Sequence, residues 1–201
     1  HEFYKDYKPL LEKAKGRADW IINISASPYH MGKGMERVRI FSKMAKHYKA
    51  GIIYANLCGG QDELVFDGHS LVIDKKGKLI MQAGQFKEDM AYFYAKKDDA
   101  EKIKNRGVKK RLSREEEIYS ALVMGTRDYI RKNGFRKVIV ALSGGIDSAI
   151  VSLIAAEAAG KENVTLIFLP TKYSSEESLT DAKAMAKSLG IKLQVLGIQD
   201  L

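Results

Sequence analysis

A chain of 201 residues, 45% hydrophobic and 29% charged, is long enough for one or two packed cores and has the balance of a globular protein rather than a disordered or fibrous one. Its net charge of +9 is scattered, as at Lys96-Lys97 and Lys109-Lys110-Arg111, without interleaved aromatics, which favours anionic small molecules over nucleic acid as partners. The single cysteine, Cys58, excludes an internal disulfide and a cysteine-based zinc cluster and fits a reducing cytoplasm, and no apolar run approaches the roughly 18 residues of a membrane helix.

In chain order, residues 4–15 place Leu10, Leu11 and Ala14 at helical spacing among lysines, which predicts an exposed helix. Residues 20–24 (Trp-Ile-Ile-Asn-Ile) read as a buried strand that runs into the polar loop Ser25-Ala26-Ser27-Pro28-Tyr29-His30. A helix over 34–48 aligns Val38, Phe41, Ala45 and Tyr48 on one face. Residues 50–56 form a second buried strand, followed by a loop at 59–63. Strands at 70–74 and 79–82 flank Lys75-Lys76-Gly77-Lys78, a hairpin with glycine at its tight position. From 87 to 117 charge dominates, which predicts an extended connection and a domain boundary near Arg111.

Beyond the boundary, a helix over 115–132 carries Ile118, Leu122, Tyr129 and Ile130 on one side and stops at Asn133-Gly134. Strands at 138–142, 164–169 and 191–196 alternate with helices at 147–159 and from Ser178 to Gly190, the latter opened by a capping-box-like Ser178 and Asp181 and lined by Ala182, Met185, Ala186 and Leu189. Strands alternating with helices imply a parallel sheet, with ligand beyond the C-terminal strand ends, where the loops at Ser143 and Pro170 lie. No internal repeat or low-complexity tract is visible.

The most informative stretch is residues 138–148, VIVALSGGIDS. Five apolar residues, Val138 to Leu142, run into Ser143, Gly144 and Gly145, and Asp147 and Ser148 open a helix. Glycines let backbone N–H groups approach an anion closely, and the first turn of a helix favours negative charge. The Ser143 and Ser148 hydroxyls add donors. Asp147 puts a carboxylate where phosphate repels it, which makes sense with magnesium between them; a plain first-turn acid is the other reading. The loop has no lysine and is not a Walker A loop. Cys58, a lone cysteine before two glycines, could serve as a nucleophile, but no base can be assigned to it and packing is the preferred reading. His30, His47 and His69 lack metal-ligand spacing. Lys33, six residues after Ser27, could hold a carboxylate beside a hydroxyl.

These motifs carry a resemblance. Ala141-Leu142-Ser143-Gly144-Gly145-Ile146-Asp147-Ser148 is similar to the Ser-Gly-Gly-x-Asp-Ser signature of the PP-loop ATP-pyrophosphatases, which cleave ATP to AMP and pyrophosphate. Residues 23–30 with Gly32-Lys33, Tyr54-Ala55-Asn56 and residues 59–68 (GGQDELVFDG) resemble the C-terminal part of a nitrilase-type glutaminase domain. With Leu169-Pro170 and Tyr173-Ser174-Ser175-Glu176, the two halves in this order look like the glutamine-dependent NAD(+) synthetase family.

The resemblance implies an α/β chain: residues 1–110 as the C-terminal part of a nitrilase-like α/β sandwich with linker, and residues 111–201 as the start of a Rossmann-like, parallel-sheet PP-loop domain. It further implies ATP-dependent amidation of deamido-NAD with ammonia from glutamine, ATP and magnesium as cofactors, glutamine contacts at Ser27 and Lys33, ATP contacts at Ala141, Leu142, Ser143, Gly144, Gly145, Ile146, Asp147 and Ser148, and magnesium at Asp147. No nucleic acid, no membrane and a homo-oligomeric full-length protein are expected. The family's Glu-Lys-Cys triad precedes the segment matching residues 23–28, so Cys58 falls at a non-catalytic position and no catalytic residue is assigned. Both ends are expected to be cuts within a longer protein. Another PP-loop amidotransferase, a tRNA-modifying ligase, or a non-catalytic nucleotide-binding module remain as alternatives.

Overall fold

Short apolar runs set the frame of the first half. A computed structural model describes residues 2–94, 111–170 and 174–197. After helix α1 (Glu2–Ala14), strand β1 (Trp20–Ser25) pairs in parallel with β2 (Gly51–Asn56), in the register Trp20↔Gly51 to Ser25↔Asn56. Helix α2 (Lys33–Tyr48) connects them and buries Gly34, Arg37, Phe41, Ala45 and Tyr48, a stripe at helical spacing. Strands β5 (Leu71–Ile73) and β6 (Leu79–Gln82) continue the sheet in antiparallel sense, giving the order β1-β2-β5-β6. Phe41, Ala45, Ile52, Tyr54, Leu71 and Ile73 form the core between α2 and this sheet. The β5–β6 turn closes as the sequence suggests: Gly77 has φ 80°, and Asp74 Oδ1 accepts from the Lys76 and Lys78 amides at 2.9 and 2.8 Å.

Residues 59–63, read as a loop, belong in part to a two-stranded ribbon of β3 (Cys58–Gln61) and β4 (Leu64–Asp67). Asp62, at φ 50°, makes the turn, so the glycines sit in extended pairing rather than in an open connection. The extended connection expected over 87–117 also ends early. Ser113 Oγ accepts from the Glu116 amide at 3.1 Å and Glu116 Oε2 accepts from the Ser113 amide at 2.7 Å, a capping box that starts α3 (Arg114–Lys132) inside that charged run. The remainder of the expected connection, 95–110, lies outside the described residues, as do residues 171–173 of the Pro170 loop.

The chain forms two compact units, His1–Gly59 with Leu64–Ile118, and Gly60–Glu63 with Tyr119–Leu201. The buried positions of α3 are Glu117, Ala121, Val123 and Met124, whereas Ile118, Leu122 and Tyr129, expected on the buried side, are exposed. Side-chain size misled that expectation: positions 117, 121 and 124 are the helical stripe that is covered.

In the second unit, β7 (Val138–Ala141), β8 (Val164–Phe168) and β9 (Leu193–Val195) form a wholly parallel sheet in the order β7-β8-β9. Helices α4 (Ile146–Ala159) and α5 (Glu176–Leu189) connect its strands. Val140, Leu142, Ala155, Val164, Leu166, Phe168, Ala182, Ala186 and Ile191 make its core. The cap of α5 is Ser175 rather than Ser178: the Ser175 hydroxyl accepts from the Ser178 amide at 3.1 Å, so the helix starts before Ser178. Among the described residues no helix is long and apolar enough to cross a membrane.

Candidate functional site

The Ser143 loop leaves the parallel sheet at the C-terminal end of β7. Leu142 extends the ladder by donating its N–H to Ile167 O at 2.8 Å and buries its side chain in the core, so it offers a ligand little besides backbone. The next residue turns outward. Gly144 has φ 86°, and a Cβ built on it would meet the Ser178 Cα at 2.9 Å and its carbonyl carbon at 3.0 Å, so the first turn of α5 lies directly against the loop. Only glycine meets both conditions, the left-handed φ and the close backbone approach.

Gly145 is the N-cap of α4 and provides no side-chain cap, which leaves first-turn N–H groups without a partner from it at the loop mouth. Two hydroxyls brace the loop from inside. Ser148 Oγ accepts from the Ser143 amide at 3.1 Å, donates to Gly145 O at 2.9 Å and lies 3.0 Å from Ser143 Oγ, which in turn accepts from the Gly145 amide at 3.3 Å. Ala141, Ser143, Gly145, Ile146 and Asp147 are exposed, while Gly144 and Ser148 are half-buried. The result is a braced, solvent-exposed loop with hydroxyls at a helix N-terminus, a chemistry suited to phosphate oxygens. Among the described residues no three His, Cys, Asp or Glu side chains group as metal ligands, and Asp147 is a single carboxylate at the loop mouth. One carboxylate suits a magnesium ion that keeps its waters and shares phosphate ligands, not a protein-caged ion.

In the first unit, Ser27 follows β1 and Lys33 opens α2. The β1–β2 ladder ends at Ser25↔Asn56, after which side chains take over from backbone. The Ser27 amide donates to Asn56 Oδ1 at 2.9 Å, and the Ser27 carbonyl accepts from Arg37 Nη2 at 3.0 Å and from Asn56 Nδ2 at 3.5 Å. Arg37 Nη1 donates to both oxygens of the fully buried Asp67 at 2.7 and 2.8 Å, and Asn56 Nδ2 donates to Asp67 Oδ1 at 3.3 Å. The Tyr29 amide pins the loop to β4 by donating to Val65 O at 2.7 Å. Lys33 lies one helical turn before Arg37, so one helix carries Lys33 and reaches the backbone of Ser27.

Around this network, burial pushes the Tyr29 phenol up to about 12, with Glu117 and Asp67 adding to it. Burial also holds the His69 imidazole below its usual range, against the pull of Asp67. His30 and His47 pair instead with Glu36 at 3.6 Å and Glu12 at 3.0 Å, and the three histidines do not come together with other ligands. Cys58 is half-buried at the start of β3, and a Cβ on Gly68 would lie 3.3 Å from its sulfur, so it packs closely against that glycine.

The sequence reading did not single out Arg37. A signal was present: position 37 falls on the stripe 34, 37, 41, 45 and 48, where a charge demands a buried partner.

Residues 118–201 match the family model described as NAD synthase. Over nearly the whole chain, 98% of it, the glutamine-dependent NAD(+) synthetase of Synechocystis sp. is 41% identical, and over 90% of it that of Thermotoga maritima is 39% identical. The solved glutamine-dependent NAD+ synthetase of Acinetobacter baumannii, in complex with ADP, superposes with a TM-score of 0.87 at 36% identity, covering 97% of this chain and 36% of its own. The chain spans about a third of the length of the curated relatives it matches, 35% and 37% for the two named. On these matches residues 118–201 resemble the NAD synthase family, and the chain is similar, nearly from end to end, to part of the glutamine-dependent NAD(+) synthetases.

Proposed function

We propose that this chain is the region of a glutamine-dependent NAD(+) synthetase in which the glutaminase half meets the synthetase half, residues 1–110 and 111–201. The protein it serves amidates deamido-NAD to NAD with ammonia taken from glutamine, releasing AMP, pyrophosphate and glutamate. The observation that carries this reading is the Ser143 loop: a glycine turn at a parallel-strand end, braced by Ser143 and Ser148 and opening onto the N-terminus of α4. That the similar protein from Acinetobacter baumannii was solved in complex with ADP supports nucleotide binding as part of this reading.

In this reading the loop amides and hydroxyls bind the phosphates that leave as pyrophosphate, and stabilise the negative charge that develops on them. The exposed Ile146 borders the nucleotide, and the backbone of Ala141 and Leu142 continues the binding edge. Asp147 would hold magnesium, which supplies charge neutralisation at the phosphates when bound. Activation through AMP is required because a carboxylate is a poor electrophile towards ammonia. Ser27 and Lys33 bind glutamine, and the Glu-Lys-Cys triad that hydrolyses it lies on another part of the protein, leaving Cys58 a packing role. Residues 1–110 complete a nitrilase-like sandwich, which fits the exposed Ile22 and Ile24 of β1, 66% and 85% accessible, as a face for a second layer. Residues 111–201 begin a PP-loop domain of Rossmann-like type. The assembled enzyme is cytoplasmic and homo-oligomeric.

The test is acceptor dependence. Full-length protein with ATP and magnesium is offered deamido-NAD with ammonia, deamido-NAD with glutamine, or unmodified tRNA. Pyrophosphate and AMP in equal amounts with deamido-NAD and either nitrogen donor are expected; turnover with tRNA, or ATP binding without turnover, contradicts the assignment.

A further inference from the structure

We propose that Arg37, Asn56 and Asp67 are positioning residues for glutamine: a buried clamp that sets Ser27 through its backbone and ties it to the helix that carries Lys33. The proposal rests on the reading that Ser27 and Lys33 bind glutamine.

Both polar backbone groups of Ser27 are held by side chains. Its N–H goes to Asn56 Oδ1 and its C=O to Arg37 Nη2 and Asn56 Nδ2, at 2.9, 3.0 and 3.5 Å. These two side chains are themselves fixed by one carboxylate, Asp67, which accepts from Arg37 at 2.7 and 2.8 Å and from Asn56 at 3.3 Å. The Asn56 amide adds a fourth anchor by donating to Ser70 Oγ at 3.0 Å. The clamp draws its members from α2, the end of β2 and the end of β4, so three elements converge on one residue of one loop.

Ending a strand does not need such an arrangement. Burying a charged pair costs desolvation that its attraction barely offsets, and apolar replacements of both partners are often as stable. What the ion pair gives is direction: with Arg37 Nη1 held between the two oxygens of Asp67, the planar guanidinium aims Nη2 at the Ser27 carbonyl. A side chain that must meet a substrate at hydrogen-bond distance gains from a backbone fixed in this way.

The test uses the full-length enzyme and compares glutamine-dependent with ammonia-dependent NAD synthesis. The variants are Arg37→Lys, Asp67→Asn, and the paired Arg37→Met with Asp67→Leu, which leaves no lone buried charge and so keeps the fold. Losing one or two positioning hydrogen bonds is expected to raise KM for glutamine about 10- to 100-fold. kcat at saturating glutamine should fall far less, and the ammonia-dependent rate should stay within about two-fold. Arg37→Lys, which keeps the charge but not the fork, should lie nearer the paired variant than wild type. Equal losses with both nitrogen donors, a lost kcat without a KM shift, or an unchanged KM would overturn the clamp. Ser27→Ala separates the two ideas: if it raises KM for glutamine while the clamp variants do not, the clamp alone falls. If Ser27→Ala leaves KM unchanged, the glutamine reading falls and takes the clamp with it.

Discussion

Replacing Gly144 with alanine places a methyl group in the tightest spot of the phosphate-loop candidate. The residue has φ 86°, which costs an L-residue about 1–2 kcal/mol. The new Cβ would also press on the Ser178 backbone, 2.9 Å from its Cα and 3.0 Å from its carbonyl carbon. Backbone at a helix start cannot rotate away as a long side chain can, and overpacking of this kind costs about 1–3 kcal/mol. The lower entropy of the unfolded chain returns about 0.4–1 kcal/mol. A net loss of about 1–5 kcal/mol follows, set against the 5–15 kcal/mol that usually holds a domain together. Gly145→Ala is the internal control: its φ is −83° and the nearest atom to a new Cβ is Ser143 Oγ at 3.5 Å, an ordinary contact, so its stability should change by less than about 1 kcal/mol. Urea unfolding of the intact protein measures both. Equal stability of Gly144→Ala and wild type, or a larger loss in Gly145→Ala, would refute the packing of α5 against this loop.

Three further outcomes are expected. Asp147→Ala should abolish NAD synthesis from both glutamine and ammonia while glutamine hydrolysis, assayed as glutamate release, continues; unimpaired ammonia-dependent synthesis would remove Asp147 from the nucleotide site. Cys58→Ala should keep glutaminase turnover within a few-fold of wild type and cost about 1–2 kcal/mol of stability from lost packing against Gly68, whereas loss of turnover would make it the nucleophile. Burial, with the Glu157 carboxylate that accepts its proton at 2.6 Å, pushes the Tyr119 phenol from 10.0 to about 12. The folded chain therefore keeps this proton where the unfolded chain has lost it, so stability should fall as pH rises from 10 to 12, and Tyr119→Phe should flatten that fall in melting temperature.

Short apolar runs made the sheet strands legible, and helical spacing did so for α2, whose one covered face repeats in the sequence. The Ser143 loop was legible for a different reason: glycines at a strand-to-helix junction have few other uses. What stayed hidden depended on partners distant in sequence. Residues 59–63 read as a loop because Gly59 and Gly60 mask pairing, and nothing local shows that Gly60 donates to Asp128 at 2.7 Å while Lys132 reaches Gln61 at 2.9 Å. The buried side of α3 was misjudged because its covered stripe contains Glu117, whose carboxylate accepts from Gln85 at 3.0 Å. In the clamp, Asn56 and Asp67 stood in recognisable segments, but their convergence with Arg37 on one backbone unit is a fact of three dimensions.

The most direct measurement follows oxygen. Deamido-NAD labelled with 18O in its nicotinate carboxylate is converted by the full-length enzyme with ATP and ammonia, and the products are weighed by mass spectrometry. In the proposed reaction, adenylation joins a carboxylate oxygen to the α-phosphorus, and attack by ammonia expels AMP with that oxygen. One 18O in AMP, with unlabelled pyrophosphate, is the predicted result; ADP with label in inorganic phosphate would contradict the account.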